Sequence, residues 1–91
     1  MINKAYTIQV FGKVQGVYYR QSTRDKAHEL DLKGTVQNLE DGSVLIHAEG
    51  DEQKIKELIA WCYKGPIMAK VSEVKATEAE LKNYTSFEII R

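Results

Sequence analysis

Ninety-one residues are enough for one domain with a modest core and too few for two. Thirteen basic and thirteen acidic side chains cancel, which argues against a protein held to nucleic acid or to a membrane surface by bulk charge. The sequence has no apolar run of about eighteen residues and no basic-then-apolar leader, so neither a membrane span nor a secretory signal is expected. The single cysteine, Cys62, cannot form an internal disulfide, which fits a reducing, cytoplasmic setting.

Strict alternation marks a first strand at about Ala5–Lys13, with Tyr6, Ile8 and Val10 on one face. The stretch Gly12–Arg20 then leads from this strand toward a helix-compatible segment, with glycines at 12 and 16 and an arginine at its far end. A glycine-containing loop can turn several backbone N–H groups toward one point. The positive end of the following helix and a guanidinium would aim at the same point, which makes a small oxyanion site. The helix is predicted from about Arg20 to Leu32, with Thr23, Ala27 and Leu30 at helical spacing and Gly34 as a stop.

A second strand, Lys33–Leu39, runs through Glu40-Asp41-Gly42-Ser43 into a third, Val44–Glu49; Asp-Gly between two such runs is a hairpin signal. Asp51 can cap an amphipathic helix whose Ile55, Leu58, Ile59 and Cys62 form one stripe, and Gly65-Pro66 ends it. A fourth strand near Lys70–Thr77 and a short apolar piece, Ser86–Ile90, complete the chain.

The order is β-α-β-β-α-β with a short extra C-terminal strand. The economical solution is an α+β, ferredoxin-like sandwich: an antiparallel sheet with two helices on one face. If strands one and three are central neighbours, the Gly12–Arg20 loop and Asn38, at the end of strand two, meet at the same sheet edge.

Each candidate also has a plain structural reading. Gly16 can serve only to turn the chain, Arg20 can be a solvated helix residue, and turn chemistry alone explains Asn38. Lys13 reads as a surface charge at a strand end. The loop is neither a Walker A motif nor G-x-G-x-x-G. His28 and His47 lie on different elements, expected on exposed faces, so with one cysteine no metal-ligand cluster is expected. Cys62 is expected buried, and Trp61, Tyr63 and Tyr84 are expected to pack.

Val10-Phe11-Gly12-Lys13-Val14-Gln15-Gly16-Val17-Tyr18-Tyr19-Arg20 resembles the first signature of the acylphosphatases. Gly34-Thr35-Val36-Gln37-Asn38-Leu39-Glu40-Asp41-Gly42-Ser43-Val44, ending at Gly50, resembles their second, and Gly65-Pro66 with Ala69, Val71, Val74, Phe87 and Ile89 follows the same pattern. The resemblance spans residues 1–91 as a single domain. It implies hydrolysis of a small-molecule acyl phosphate, with no cofactor or metal expected. Balanced charge leaves no nucleic-acid or membrane partner expected, and a monomer is the default for a small neutral domain. The resemblance also implies that Gln15, Gly16, Val17, Tyr18, Tyr19 and Arg20 bind substrate, with Arg20 on the phosphate and Asn38 holding the attacking water. Two positions depart from the pattern. The family usually has Phe or Met where Tyr19 stands, and if Tyr19 is buried its hydroxyl needs a partner. An aromatic usually stands where this chain has Thr35, which by alternation points away from the Val36 side.

The residues are chemically consistent with that activity. A thiolate phosphatase would need cysteine at position 14, which is valine, and nothing is clearly placed to activate Ser22 or Thr23, so water is left as nucleophile. Asn38 can orient water but cannot be a general base. An ordinary monoester leaves as an alkoxide and needs a proton or a metal ion, whereas an acyl phosphate leaves as a carboxylate and needs mainly positioning and charge stabilisation. Two binding readings remain. RNA recognition would want aromatics on strand three, and Val44-Leu45-Ile46-His47-Ala48-Glu49 has none. A non-catalytic carboxyl-phosphate-binding unit would bind phosphate equally well and differ only in turnover.

Overall fold

A computed structural model of the chain describes residues 2–90. The elements are β1 (Asn3–Lys13), α1 (Tyr19–Glu29), β2 (Lys33–Asn38), β3 (Val44–Asp51), α2 (Glu52–Cys62), β4 (Lys70–Ala79) and β5 (Phe87–Ile90). They build one sheet in the order β4-β1-β3-β2-β5, the ferredoxin-like arrangement. The first four strands pair antiparallel, but β5 joins the edge of β2 in parallel, so the sheet is mixed. No helix among the described residues is long and apolar enough to cross a membrane.

The period-two pattern decides which side chains meet the helices. Ile8 and Val10 of β1, Val36 of β2, and Val44, Ile46 and Ala48 of β3 share a core with Tyr19 and Ala27 of α1 and Ile55, Leu58 and Cys62 of α2. Full burial of each large aliphatic side chain stabilises the fold by roughly 1.5–3 kcal/mol. On α2, Asp51 accepts a hydrogen bond from the Gln53 N–H at 3.4 Å, the expected N-terminal cap.

Helix α1 is shorter than its sequence pattern predicts. Asp31 adopts the left-handed region at φ 57°, which turns the chain out of the helix and seats Leu32 in the core. Strands β1, β3 and β4 run further than expected, because Asn3 pairs with Asp51 and Ala5 with Ala79. At the other end of β1 a bulge falls between Phe11 and Gly12. Gly12 has φ 123°, and a Cβ there would collide with the Lys70 carbonyl oxygen, so only glycine fits where the chain leaves the sheet for the loop.

The second sheet face corrects one expectation. His28 is exposed, but His47 is buried, because the segment joining β4 to β5 folds over it. Its Nε2 lies 2.9 Å from Glu49 Oε2, and the Tyr84 ring meets it edge-on at 5.4 Å. Glu49, itself 4% exposed, also accepts the Lys82 and Tyr84 backbone N–H groups and so fastens that segment to β3. Tyr63, expected to pack, is exposed instead, whereas Trp61 packs against Tyr19 with ring centroids 5.5 Å apart.

Candidate active site

The bulge at Gly12 delivers the chain into a loop anchored from below. Val14 and Val17 are buried and tie it to the core. Between them Gly16 takes φ 73°, and Tyr18 takes φ 66°, ψ 23° as the residue that enters α1. These left-handed residues reverse the chain twice in three positions, the kind of geometry that gathers successive N–H groups around a concavity. None of the backbone N–H groups of residues 15–20 donates to a backbone carbonyl among the described residues. The N-terminal turn of α1 likewise has no side-chain cap. Free donors at a helix N-terminus favour an anion.

Register brings the second motif to the same edge. Val10, near the end of β1, and Asn38, at the end of β2, both pair with Val44, the first residue of β3. Asn38 stands two residues after Val36, and its side chain therefore shares the helix-facing side of the sheet. A cleft of about 410 Å³ opens there, lined by Val14, Gly16, Tyr18, Tyr19, Arg20, Gln21, Asn38 and Ile89. Among the described residues no carboxylate forms an ion pair with Arg20. Asn38 Oδ1 is buried without a hydrogen-bond partner there. A buried amide oxygen left unpaired is costly, and its position in the cleft wall suits a donor arriving with the ligand or its water.

The expected site residues divide by role. Gly16, Tyr18, Tyr19, Arg20 and Asn38 line the cleft, while Val17 is a core anchor. The Gln15 side chain turns away from it. Its Nε2 donates to the Leu39 carbonyl at 2.8 Å and to the Ser43 carbonyl at 3.0 Å, stapling the loop to the β2–β3 turn that carries Asn38. That turn is itself tightened by Asp41, whose Oδ1 accepts from the Ser43 N–H at 2.9 Å and the Ser43 hydroxyl at 2.6 Å, with Gly42 at φ 91°. Gln21 lines the cleft without having been singled out in the sequence, and Ile89, noted there only as following the family pattern, lines it too. Ile89 comes from β5, whose pairing with β2 no local pattern announces.

Tyr19 has its hydroxyl satisfied. It is 1% exposed and donates to the Cys62 carbonyl at 2.7 Å, bridging the start of α1 to the end of α2. Burial, with Cys62 beside it, pushes its phenol above the ordinary value, so it stays protonated as a donor. Gly65, at φ 65°, leaves room for the ring, because a Cβ there would lie 2.5 Å from Tyr19 Cε2. Thr35 lies on the sheet face away from Val36, cross-strand from His47 and far in role from the loop.

Comparison with known proteins gives the same reading of the whole chain. The acylphosphatase family model matches residues 6–89. An acylphosphatase of Marinobacter nauticus is 58% identical over 69 residues, 76% of this chain and 75% of the relative. One from Methylococcus capsulatus is 44% identical over 89 residues, covering 97% of each. The solved structure of an acylphosphatase from Coxiella burnetii superposes with a TM-score of 0.94 at 40% identity, covering 97% of this chain and 93% of that one. The cleft that Arg20 and Asn38 line together thus lies in a chain that belongs to the acylphosphatase family.

Proposed function

We propose that this chain hydrolyses the carboxyl–phosphate bond of acyl phosphates to a carboxylate and inorganic phosphate. In this reading Arg20 and the N–H groups of residues 15–20 hold the phosphate, and Asn38 orients the attacking water. The carrying observation is that Arg20, without an ion-pair partner among the described residues, and the Asn38 oxygen, without a hydrogen-bond partner there, line one cleft with Gly16, Tyr18 and Tyr19 of the loop.

The steps balance without a protein base. Water held by the Asn38 amide attacks phosphorus in line, the bond from phosphorus to the acyl oxygen breaks, and the electron pair leaves on the carboxylate. The water's proton passes to a phosphate oxygen of the substrate. The carboxylate needs no protonation, so what the site must supply is alignment and stabilisation of charge on the phosphoryl oxygens. Arg20 contributes a fixed fork of donors to that charge. Residues 1–91 act in this reading as one domain and a monomer in the cytoplasm, a setting that suits a chain with near-zero net charge and one cysteine.

Loss of benzoyl phosphate with time, with and without chelator, tests the assignment on wild type, Arg20→Gln and Asn38→Ala. Wild-type turnover is expected to be insensitive to chelator. Loss of one oxyanion donor costs roughly 2.7–4 kcal/mol, or about 100- to 1,000-fold in rate, and Arg20→Gln should reach at least that. Asn38→Ala should lower kcat sharply while inhibition by inorganic phosphate persists. Equal rates in wild type and Arg20→Gln would overturn the site, and loss of phosphate inhibition with turnover spared in Asn38→Ala would overturn the division of roles.

A further inference from the structure

We propose that the exposed ring of Tyr18 is the acyl-binding surface of this cleft, favouring acyl phosphates with an aromatic or large apolar acyl group over those the size of acetyl. This rests on the acyl phosphate chemistry above and adds the character of the departing half of the substrate.

The backbone at position 18 needs a positive φ to turn the loop into α1, and glycine or asparagine would provide it without a bulky side chain. A tyrosine stands there, and the fold makes little use of its ring. The residue is 73% exposed, and its hydroxyl makes no hydrogen bond among the described residues. The next residue is the opposite case, since the Tyr19 ring is buried and its hydroxyl bonded. An aromatic side chain held in a strained backbone conformation, facing water at the wall of a cleft, is placed to contact something that enters the cleft.

The lining of the cleft narrows what that is. Its apolar members are Val14, Tyr18, Tyr19 and Ile89, of which Val14 and Tyr19 are each 1% exposed and Ile89 is half-buried. Tyr18 is the most exposed of the four and offers the broadest apolar surface to an acyl group in the cleft. A phenyl ring can stack on it or meet it edge-on, whereas a methyl group covers little of it.

The test is kcat/KM for benzoyl phosphate and acetyl phosphate on wild type, Tyr18→Phe and Tyr18→Ala. The preference for benzoyl over acetyl phosphate should fall about tenfold in Tyr18→Ala, mostly through KM, and persist in Tyr18→Phe, which keeps the ring. Both substrates are read on one preparation, so a partly unfolded variant lowers both rates and leaves their ratio intact. A Tyr18→Ala ratio within about twofold of wild type overturns the acyl surface while leaving the hydrolase reading in place. A wild type that turns over neither substrate overturns the hydrolase reading, and this inference with it.

Discussion

Replacing Tyr19 with phenylalanine removes one oxygen atom and tests how the two helices are joined. The hydroxyl donates to the Cys62 carbonyl at 2.7 Å, and the side chain is 1% exposed, so water cannot take its place without opening the core. The carbonyls at the end of a helix have no intrahelical partner, and that of Cys62 depends on this phenol. The neighbouring Trp61 carbonyl accepts instead from the Lys64 and Gly65 N–H groups, at 2.9 and 2.8 Å. Losing the bond costs about 0.5–1.5 kcal/mol, and stranding a buried acceptor costs about 1–3, two views of one deletion that centre near 2 kcal/mol. The ring keeps its place against Trp61 and Gly65, so no cavity adds to this. For a domain this size the loss corresponds to a fall in Tm of about 8–16 °C. Urea unfolding followed by tryptophan fluorescence and by circular dichroism gives the stability difference. A loss below about 0.5 kcal/mol with an unchanged m-value would refute the reasoning, because the carbonyl would then have another donor.

Three further outcomes are expected. Gln15→Ala cuts the staple between the loop and the turn carrying Asn38, so kcat for benzoyl phosphate should fall about tenfold, and Gln15→Glu, which cannot donate to the two carbonyls, should not rescue it. Burial pushes the Glu49 carboxyl up, but the Lys82 N–H, His47 and the Tyr84 N–H outweigh it, and its pKa lies below the ordinary 4.5. The unfolded chain then binds the extra proton first, so this contribution is fully present above pH 4.5 and is lost as pH falls through the folded pKa; Glu49→Gln should flatten that acid limb in melts recorded from pH 3 to 7. Burial pushes the Cys62 thiol up to about 12, so iodoacetamide should leave the native protein unlabelled at neutral pH and label it fully in denaturant.

The strands and α2 were legible because their cause is local. Alternation at Ile8 and Val10, the Asp41-Gly42 turn and the Ile55–Leu58–Cys62 stripe each carry a period or a turn preference within a few residues. The meeting of the loop with Asn38 was legible at one remove, since a hairpin and an antiparallel central pair leave little choice of edge. What stayed hidden depends on partners distant in sequence. His47 looked solvent-facing because nothing near it shows that residues 80–86 fold across that face. The Tyr19 hydroxyl finds a carbonyl on α2, and carbonyls leave no trace in a sequence. The stapling role of the Gln15 side chain stayed hidden because its two acceptors, on Leu39 and Ser43, are also backbone groups. The early end of α1 turned on the left-handed conformation of a single residue, Asp31.

The pairing of β1 with β3 has a consequence for how the protein comes to be active. Arg20 follows β1, Asn38 precedes β3, and the two meet only once Val10 lies opposite Val44. That contact closes a loop of more than thirty residues, and both neighbouring pairings of β1 join segments still further apart than a hairpin does. Domains that mix helices with such non-local strand pairing fold more slowly than helical bundles. A fragment ending before β3 lacks the strand on which Val10 and Asn38 are both registered. Recovery of hydrolysis after dilution from denaturant therefore times the docking of the central strands.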